Sequence, residues 1–266
     1  DAEKIGRYVK TMGEPLGRGL SQRAASEMGL IPGTAVSVSI IDAHAGTLGT
    51  LGASGVSGEL ADFDRRIALI GGTSTGHMAI SKTARFIGGV WGPYYSAVLP
   101  GYWLNEGGQS ATGALIDHII QSHPCYGTLL EQAKGQGKTI YEALNALLRK
   151  MAGEPENIAF LTRDIHILPY FHGNRSPRAN PTLTGAISGL KLSRTPEDMA
   201  LQYLATIQAI ALGTRHIIET MNQSGYAIDT VMASGGGTKN PVFVQEHANA
   251  TGCAMLLPEE SEAMLL

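Results

Sequence analysis

Apolar and polar positions along the chain follow two periods, and each marks out elements. Val36, Val38, Ile40 and Ile41 form a β-type run that predicts a strand at least half buried, with Asp42 where the run stops. Ile67 to Ile70 is a second apolar run. It passes through Gly71-Gly72-Thr73-Ser74-Thr75-Gly76 into apolar residues again, which predicts a hairpin. Ile228 to Ala233 and Ala254 to Leu257 read as further strands. Helical spacing fills the intervals. Ser21 to Met28 predicts a short helix capped by Ser21 and ended by Gly29. Ser110 to His123 predicts another, with Ala114, Leu115, His118 and Ile119 on its inner face. Thr139 and Glu142 form a capping box for a helix over Ile140 to Met151. Thr195-Pro196-Glu197-Asp198 is a strong helix start, running to about Gln223 and stopped by Gly225. Its small residues Ala205, Ala209, Ala211 and Gly213 predict that another element packs close. Asn240-Pro241 opens a last helix to about Ala250.

Composition narrows the class. The chain has 266 residues, of which 43% are hydrophobic, enough for one large domain or two smaller ones. A net charge of −3 points to neither a nucleic acid nor a membrane surface as partner. Cys125 and Cys253 lack metal-type spacing, and a reducing cytoplasm is the expected compartment. No apolar run approaches the ~18 residues of a membrane span. The 34 glycines gather in clusters between apolar runs, the habit of an α/β enzyme with loops that hug a ligand.

Several stretches carry candidate chemistry, each with a plainer alternative. Asp42, beyond a strand end, stands where α/β proteins keep a catalytic acid or base, or it caps a helix beginning near Ala43. The Gly71–Gly76 turn offers N–H groups and three hydroxyls to a phosphate, or it is an ordinary polar hairpin. Glu106 and Gln109, beside both tryptophans and three tyrosines, suit a polyol pocket, although the aromatics alone also suit a buried cluster. Gly137-Lys138-Thr139 lacks the first glycine and the strand of a phosphate-binding loop and is rejected as one. Asp164, His166 and His172 lack a further ligand at metal spacing, so no metal site is expected. Gly173 to Pro177 is a polar turn fit for the edge of a cleft. Ser234-Gly235-Gly236-Gly237-Thr238-Lys239, between a strand and a helix N-terminus, is a generic nucleotide or anion site. It is not a dinucleotide fingerprint, whose last glycine would fall at Asn240.

Taken together, DAHAGTLG at Asp42 to Gly49, GGTSTGHM at Gly71 to Met78, NEGGQSATG at Asn105 to Gly113, FHGNRSP at Phe171 to Pro177 and SGGGTKNP at Ser234 to Pro241 resemble the FGGY carbohydrate kinases. Within them the chain is most similar to pentulose kinases of ribulokinase type, those acting on D-ribulose. The resemblance implies an incomplete actin/Hsp70-like (ribonuclease H-like) ATPase fold, mostly its second lobe. It implies a remnant of the sugar-binding domain at residues 1–62 and a nucleotide-binding domain at 63–266. It makes Asp42 the general base, sets Gly72, Thr73 and Ser74 against ATP phosphate, and sets Gly235, Gly236, Gly237 and Asn240 against adenosine. Glu106 matches the ribulokinase pocket acid. The partners implied are a sugar, ATP and Mg²⁺, with room for a homodimer. Two departures stand out. Ala205-Thr206-Ile207-Gln208 arrives about three residues late after Gly185 to Leu190. The N-terminal Asp-x-Gly-Thr loop and the final helices after Glu262 are missing, so a fragment of a longer kinase is expected. The alternatives are a kinase for L-ribulose, xylulose or glycerol, and a non-catalytic nucleotide-binding module of the same fold.

Overall fold

The computed structural model describes Lys4, residues 8–52 and residues 62–259. The domain boundary expected at 62/63 adjoins residues outside this description, and the end of the chain after Glu259 lies outside it too.

The centre is a mixed six-stranded sheet in the order β3-β4-β2-β1-β7-β8. Its strands are β1 (Arg66–Gly71), β2 (Thr75–Ser81), β3 (Trp91–Tyr95), β4 (Trp103–Gln109), β7 (Thr230–Gly235) and β8 (Ala254–Leu256). The predicted hairpin is β1–β2, paired antiparallel from Ala68↔Met78 to Gly71↔Thr75. β1 and β7 run parallel in the register Arg66↔Thr230 to Gly71↔Gly235. A two-stranded ribbon, β5 (His166–Leu168) with β6 (Ala186–Ser188), lies apart.

Side chains alternate across a strand, so each strand serves two faces. Ile67 and Leu69 of β1 point to a large core completed by helices α3 (Gly113–Gln121), α4 (Tyr126–Gly135), α5 (Ile140–Ala152), α6 (Pro196–Gln223) and α7 (Pro241–Thr251). Ala68 points the other way, into a smaller cluster with Leu51, Met78, Ile80, Leu104 and Met232, which α2 (Asp42–Leu51) covers. α6 follows its signals closely. Asp198 N–H donates to Thr195 Oγ1 at 3.2 Å, Pro196 occupies the first turn, and Gly225 takes a φ of 101° just beyond the end. At Gly213 the close partner is β4. A Cβ on Gly213 would collide with the Gln109 amide. The capping box at Thr139 and Glu142 is formed, and α1 (Gln22–Met28) is capped by Ser21 and closed by Gly29 in the left-handed region.

Three expectations are corrected. Val36 to Ile41 is not a strand of the sheet. It makes the antiparallel bridge Pro15↔Ser37, with backbone bonds joining residues 13–16 to Val36 and Val38, and this short pairing lies apart from the central sheet with Ser37, Ser39 and Ile41 exposed. Asp42 therefore opens a helix instead of ending a strand. The helix expected from Ser110 to His123 is confined to Gly113–Gln121, and its buried residues are Leu115, Ile116, Ile119 and Ile120. His118 is exposed and meets Phe171 edge to face, because the buried stripe is turned by about one residue.

Candidate active site

The register of β1 and β7 sets two glycine turns side by side. β1 delivers Gly72-Thr73-Ser74 and β7 delivers Gly235-Gly236-Gly237, at adjacent carboxyl ends. Gly235 has a φ of 94°, and a Cβ there would collide with the Gly71 carbonyl, so only glycine lets these backbones approach. Around Gly236 nothing lies within 4 Å of a Cβ position, and the residue is exposed. The first turn is braced from below. Gly113 N–H donates to Gly72 O at 3.1 Å, and Thr112 N–H donates to Thr73 O at 3.0 Å. Of the three hydroxyls expected to face a phosphate, Thr75 is buried against Thr112 at 2.7 Å. Thr73 and Ser74 are exposed, with no hydroxyl partner among the described residues. Buried Ser234 Oγ, leading into the second turn, is likewise unpartnered. Exposed donors on a glycine cradle fit phosphate oxygens.

α2 carries Asp42 on its first turn. Arg66, at the start of β1, donates from Nη1 to Leu51 O at 3.4 Å, so the carboxyl end of α2 lies at the start of β1. Ten helical residues rise about 15 Å, close to the span of a six-residue strand. From there the helix runs over the sheet, where Thr47 Oγ1 meets Met78 Sδ at 2.7 Å and His44 approaches Glu106 at 3.6 Å. Asp42 is exposed, and its Oδ1 accepts the Ala43 N–H at 2.6 Å. Asp42 is therefore not the cap, a place held by Ile41, but the first helical residue, and its other oxygen has no partner among the described residues.

Glu106 is surrounded by groups from three other elements. On β4 it pairs across the sheet with Met78 and with Trp91. His44, on the first turn of α2, brings Nε2 within 3.6 Å of Oε2. Arg175 donates from Nη2 to Oε1 at 2.5 Å, and its guanidinium lies 4.3 Å over the Trp91 ring. His44, and after it the charge of Arg175, hold the Glu106 carboxyl below its ordinary range despite its partial burial. The loop delivering Arg175 is closed by reciprocal Asn174–Asn180 backbone bonds of 2.9 Å. Two glycines let it pack on the sheet: Gly108, against which the guanidinium rests, and Gly89, where a Cβ would collide with Pro177 O.

Gln109 does not join Glu106. Three positions apart on one strand, they face opposite sides. Gln109 points to α6, donating to Ile210 O at 3.0 Å and Thr214 Oγ1 at 3.1 Å. It also lines a cleft of about 200 Å³ with Tyr170, Arg175 and His216. Asn240 is engaged as well. Its Oδ1 caps Val242 and Phe243, and it closes a triangle with Asn145 and Tyr203 through bonds of 3.0, 2.5 and 3.2 Å. That triangle anchors the glycine turn to α5 and α6, and burial pushes the Tyr203 hydroxyl up to about 12. His44 and Arg175 are the site residues that sequence reasoning missed. The signals for them were DAHAG itself and the polar turn at Gly173 to Pro177, but nothing local pointed either residue at Glu106.

Residues 67–266 match the FGGY family of carbohydrate kinases, C-terminal domain, and the chain belongs to that family. It is 52% identical over 267 residues to the FGGY carbohydrate kinase domain-containing protein of Danio rerio, covering 99% of this chain and 49% of that one. It is 35% identical over 286 residues to the D-ribulokinase of Saccharomyces cerevisiae, covering 100% and 40%. Among solved structures it is similar to a ligand-bound xylulose kinase from Lactobacillus acidophilus, with TM-score 0.70, 18% identity and coverage of 96% and 46%. It is also similar to Plasmodium falciparum glycerol kinase with ADP, with TM-score 0.66, 13% identity and coverage of 94% and 44%. The chain spans about half the length of the curated relatives it matches, or less. The fold is accordingly the α/β, actin/Hsp70-like ATPase fold of the FGGY sugar kinases, over about half of it.

Proposed function

We propose that the protein carrying this chain transfers the γ-phosphoryl group of ATP to a hydroxyl of a pentulose, most specifically D-ribulose, giving D-ribulose 5-phosphate. In this reading residues 63–266 are the nucleotide-binding domain and residues 1–62 end the sugar-binding one. The observation that carries it is the pair of adjacent glycine turns with exposed donors, on a sheet whose Glu106 meets His44 from the same helix turn as the unpartnered Asp42 oxygen. A filament or chaperone module would need the turns but not that carboxylate beside a sheltered Glu106.

Asp42 accepts the proton of the sugar hydroxyl as that oxygen bonds to the γ-phosphorus. The bond to the β,γ-bridging oxygen breaks and ADP leaves. The turn N–H groups and the Thr73 and Ser74 hydroxyls donate to the phosphate oxygens, where negative charge spreads. Glu106 accepts from a second sugar hydroxyl and so sets the sugar's orientation. Mg²⁺ bound with the triphosphate supplies charge neutralisation.

The test is ADP release by the complete protein over a panel of ketopentoses and polyols. Turnover highest on D-ribulose is expected. Preference for xylulose or glycerol would move the substrate assignment, and nucleotide binding without turnover on any sugar would favour the module. Asp42→Asn should lower kcat by about 10²–10⁴-fold with the ATP dissociation constant unchanged.

A further inference from the structure

We infer that Arg175 is a positioning residue for sugar binding, acting through Glu106; the inference rests on the function proposed above. Three observations converge. Arg175 donates to Glu106 Oε1 at 2.5 Å, while His44 approaches the other oxygen at 3.6 Å, so the carboxylate is gripped from two sides by elements more than a hundred residues apart in sequence. The Glu106, His44 and Arg175 side chains are only 15%, 9% and 25% exposed, so these contacts are shielded from the screening that weakens surface pairs. The guanidinium is stacked on Trp91 and pressed against Gly108, while its Nε makes no hydrogen bond. Among the described residues Glu106 is its one charged partner.

The grip has a chemical consequence. A carboxylate free to rotate would meet a sugar hydroxyl in many geometries. One fixed by an arginine on one oxygen and an imidazole by the other presents its remaining lone pairs in a single direction, toward a ligand on the α2 side of the sheet. His44 and Asp42 share the first turn of α2, so the acid that orients the sugar and the base that takes its proton are tied to one rigid element. Arg175 touches neither proton nor phosphate, so its effect belongs in sugar affinity and not in the chemical step.

The experiment measures steady-state kinetics of the complete protein with D-ribulose and ATP for wild type, Arg175→Met, Arg175→Lys, Glu106→Gln and the Arg175→Met/Glu106→Gln double variant. Arg175→Met should raise the sugar KM by about 10- to 100-fold, the scale of a lost hydrogen bond to a charged group, with kcat and the ATP dissociation constant changed less than about threefold. Arg175→Lys should recover part of the KM. It also keeps the test open if Arg175→Met does not fold. In the Glu106→Gln background Arg175→Met should add almost nothing, since the group it acts through is already altered. The acid limb of kcat/KM for the sugar should shift to higher pH in Arg175→Met, because Glu106, then faced only by His44, takes up its proton more readily. An unchanged sugar KM in Arg175→Met, or an equal effect with and without Glu106, overturns the inference while leaving the proposed function standing. A wild type that turns over no sugar sinks both.

Discussion

The two faces of the sheet differ in how they are built. The α6 face is sealed: Ile67, Leu69, Ala79 and five helices form one continuous core. Polar groups on that face are mostly satisfied internally, as in Gln109 with Thr214 and His77 with Thr214 at 2.9 Å. The α2 face is thin. A small cluster around Ala68 and Met78 carries a ten-residue helix, and its polar groups are aimed at one another and outward: Asp42, His44, Glu106 and Arg175. The larger core lies on one side and the outward-facing ionisable groups on the other, held in register by the same strands.

Paired substitutions break this comparison most directly. On the thin face, Asp42→Asn is expected to remove most of the turnover, by about 10²–10⁴-fold, with little change in thermal midpoint. On the sealed face, Leu69→Ala deletes a side chain with no exposed surface and should cost about 2–5 kcal/mol of stability. Its kcat should stay within a fewfold of wild type wherever the protein remains folded. If Leu69→Ala abolished turnover in folded protein, or Asp42→Asn unfolded it, the division between faces would be wrong.

The sealed face was the part most legible in sequence. Thr195-Pro196 and Gly225 bracket α6 because caps and φ constraints are local, and the β1–β2 hairpin follows from one apolar run on each side of a glycine turn. The thin face was read less well for physical reasons. Val36 to Ile41 has a strand's composition, but β-structure depends on a neighbour to extend the ladder, and residues 13–16 supply only a single bridge. Glu106 and Gln109 look like a pair in sequence, yet a period of two sends them to opposite faces. Arg175 meets Glu106 across 69 residues, a contact set by topology alone. The resemblance supplied the motifs, but the wiring between them came from the fold.

Acid separates the two faces next. His77 and His247, both on the sealed side, are held down by burial to about 3 and about 4. Each stays neutral in the folded chain while the unfolded chain takes up a proton near pH 6.5. Their contribution is fully present above about pH 6.5 and is lost as pH falls from there toward 4 and 3. Chemical denaturation between pH 7 and pH 4 should show stability declining across that window. A flat profile would contradict neutral, buried imidazoles.

The glycine turns allow a finer cut, because neighbouring glycines have opposite environments. Gly235→Ala meets both a φ of 94° and the Gly71 carbonyl, so it should destabilise the protein by a few kcal/mol and disturb both turns. Gly236 has an ordinary φ and open space around it, so Gly236→Ala should leave the stability within about 0.5 kcal/mol of wild type. A bulky replacement at Gly236 should then weaken ATP binding without unfolding, read by titration calorimetry. Unchanged affinity would detach this turn from the nucleotide.

The smallest effect compares two helix starts. α6 begins at Thr195, whose hydroxyl accepts the Asp198 N–H, and Thr195→Ala should cost about 1 kcal/mol. α2 begins after Ile41, which is 62% exposed and offers no capping oxygen, so the first-turn Asp42 carboxylate is the helix's main electrostatic support. Asp42→Asn keeps the side-chain carbonyl for Ala43 and should therefore cost less than Thr195→Ala, within about 0.5 kcal/mol of wild type. Equilibrium denaturation of both variants sets the order. If Asp42→Asn proved the more destabilising, the carboxylate would be chiefly a structural support of α2, and its outward oxygen would lose its claim as the reserved proton acceptor.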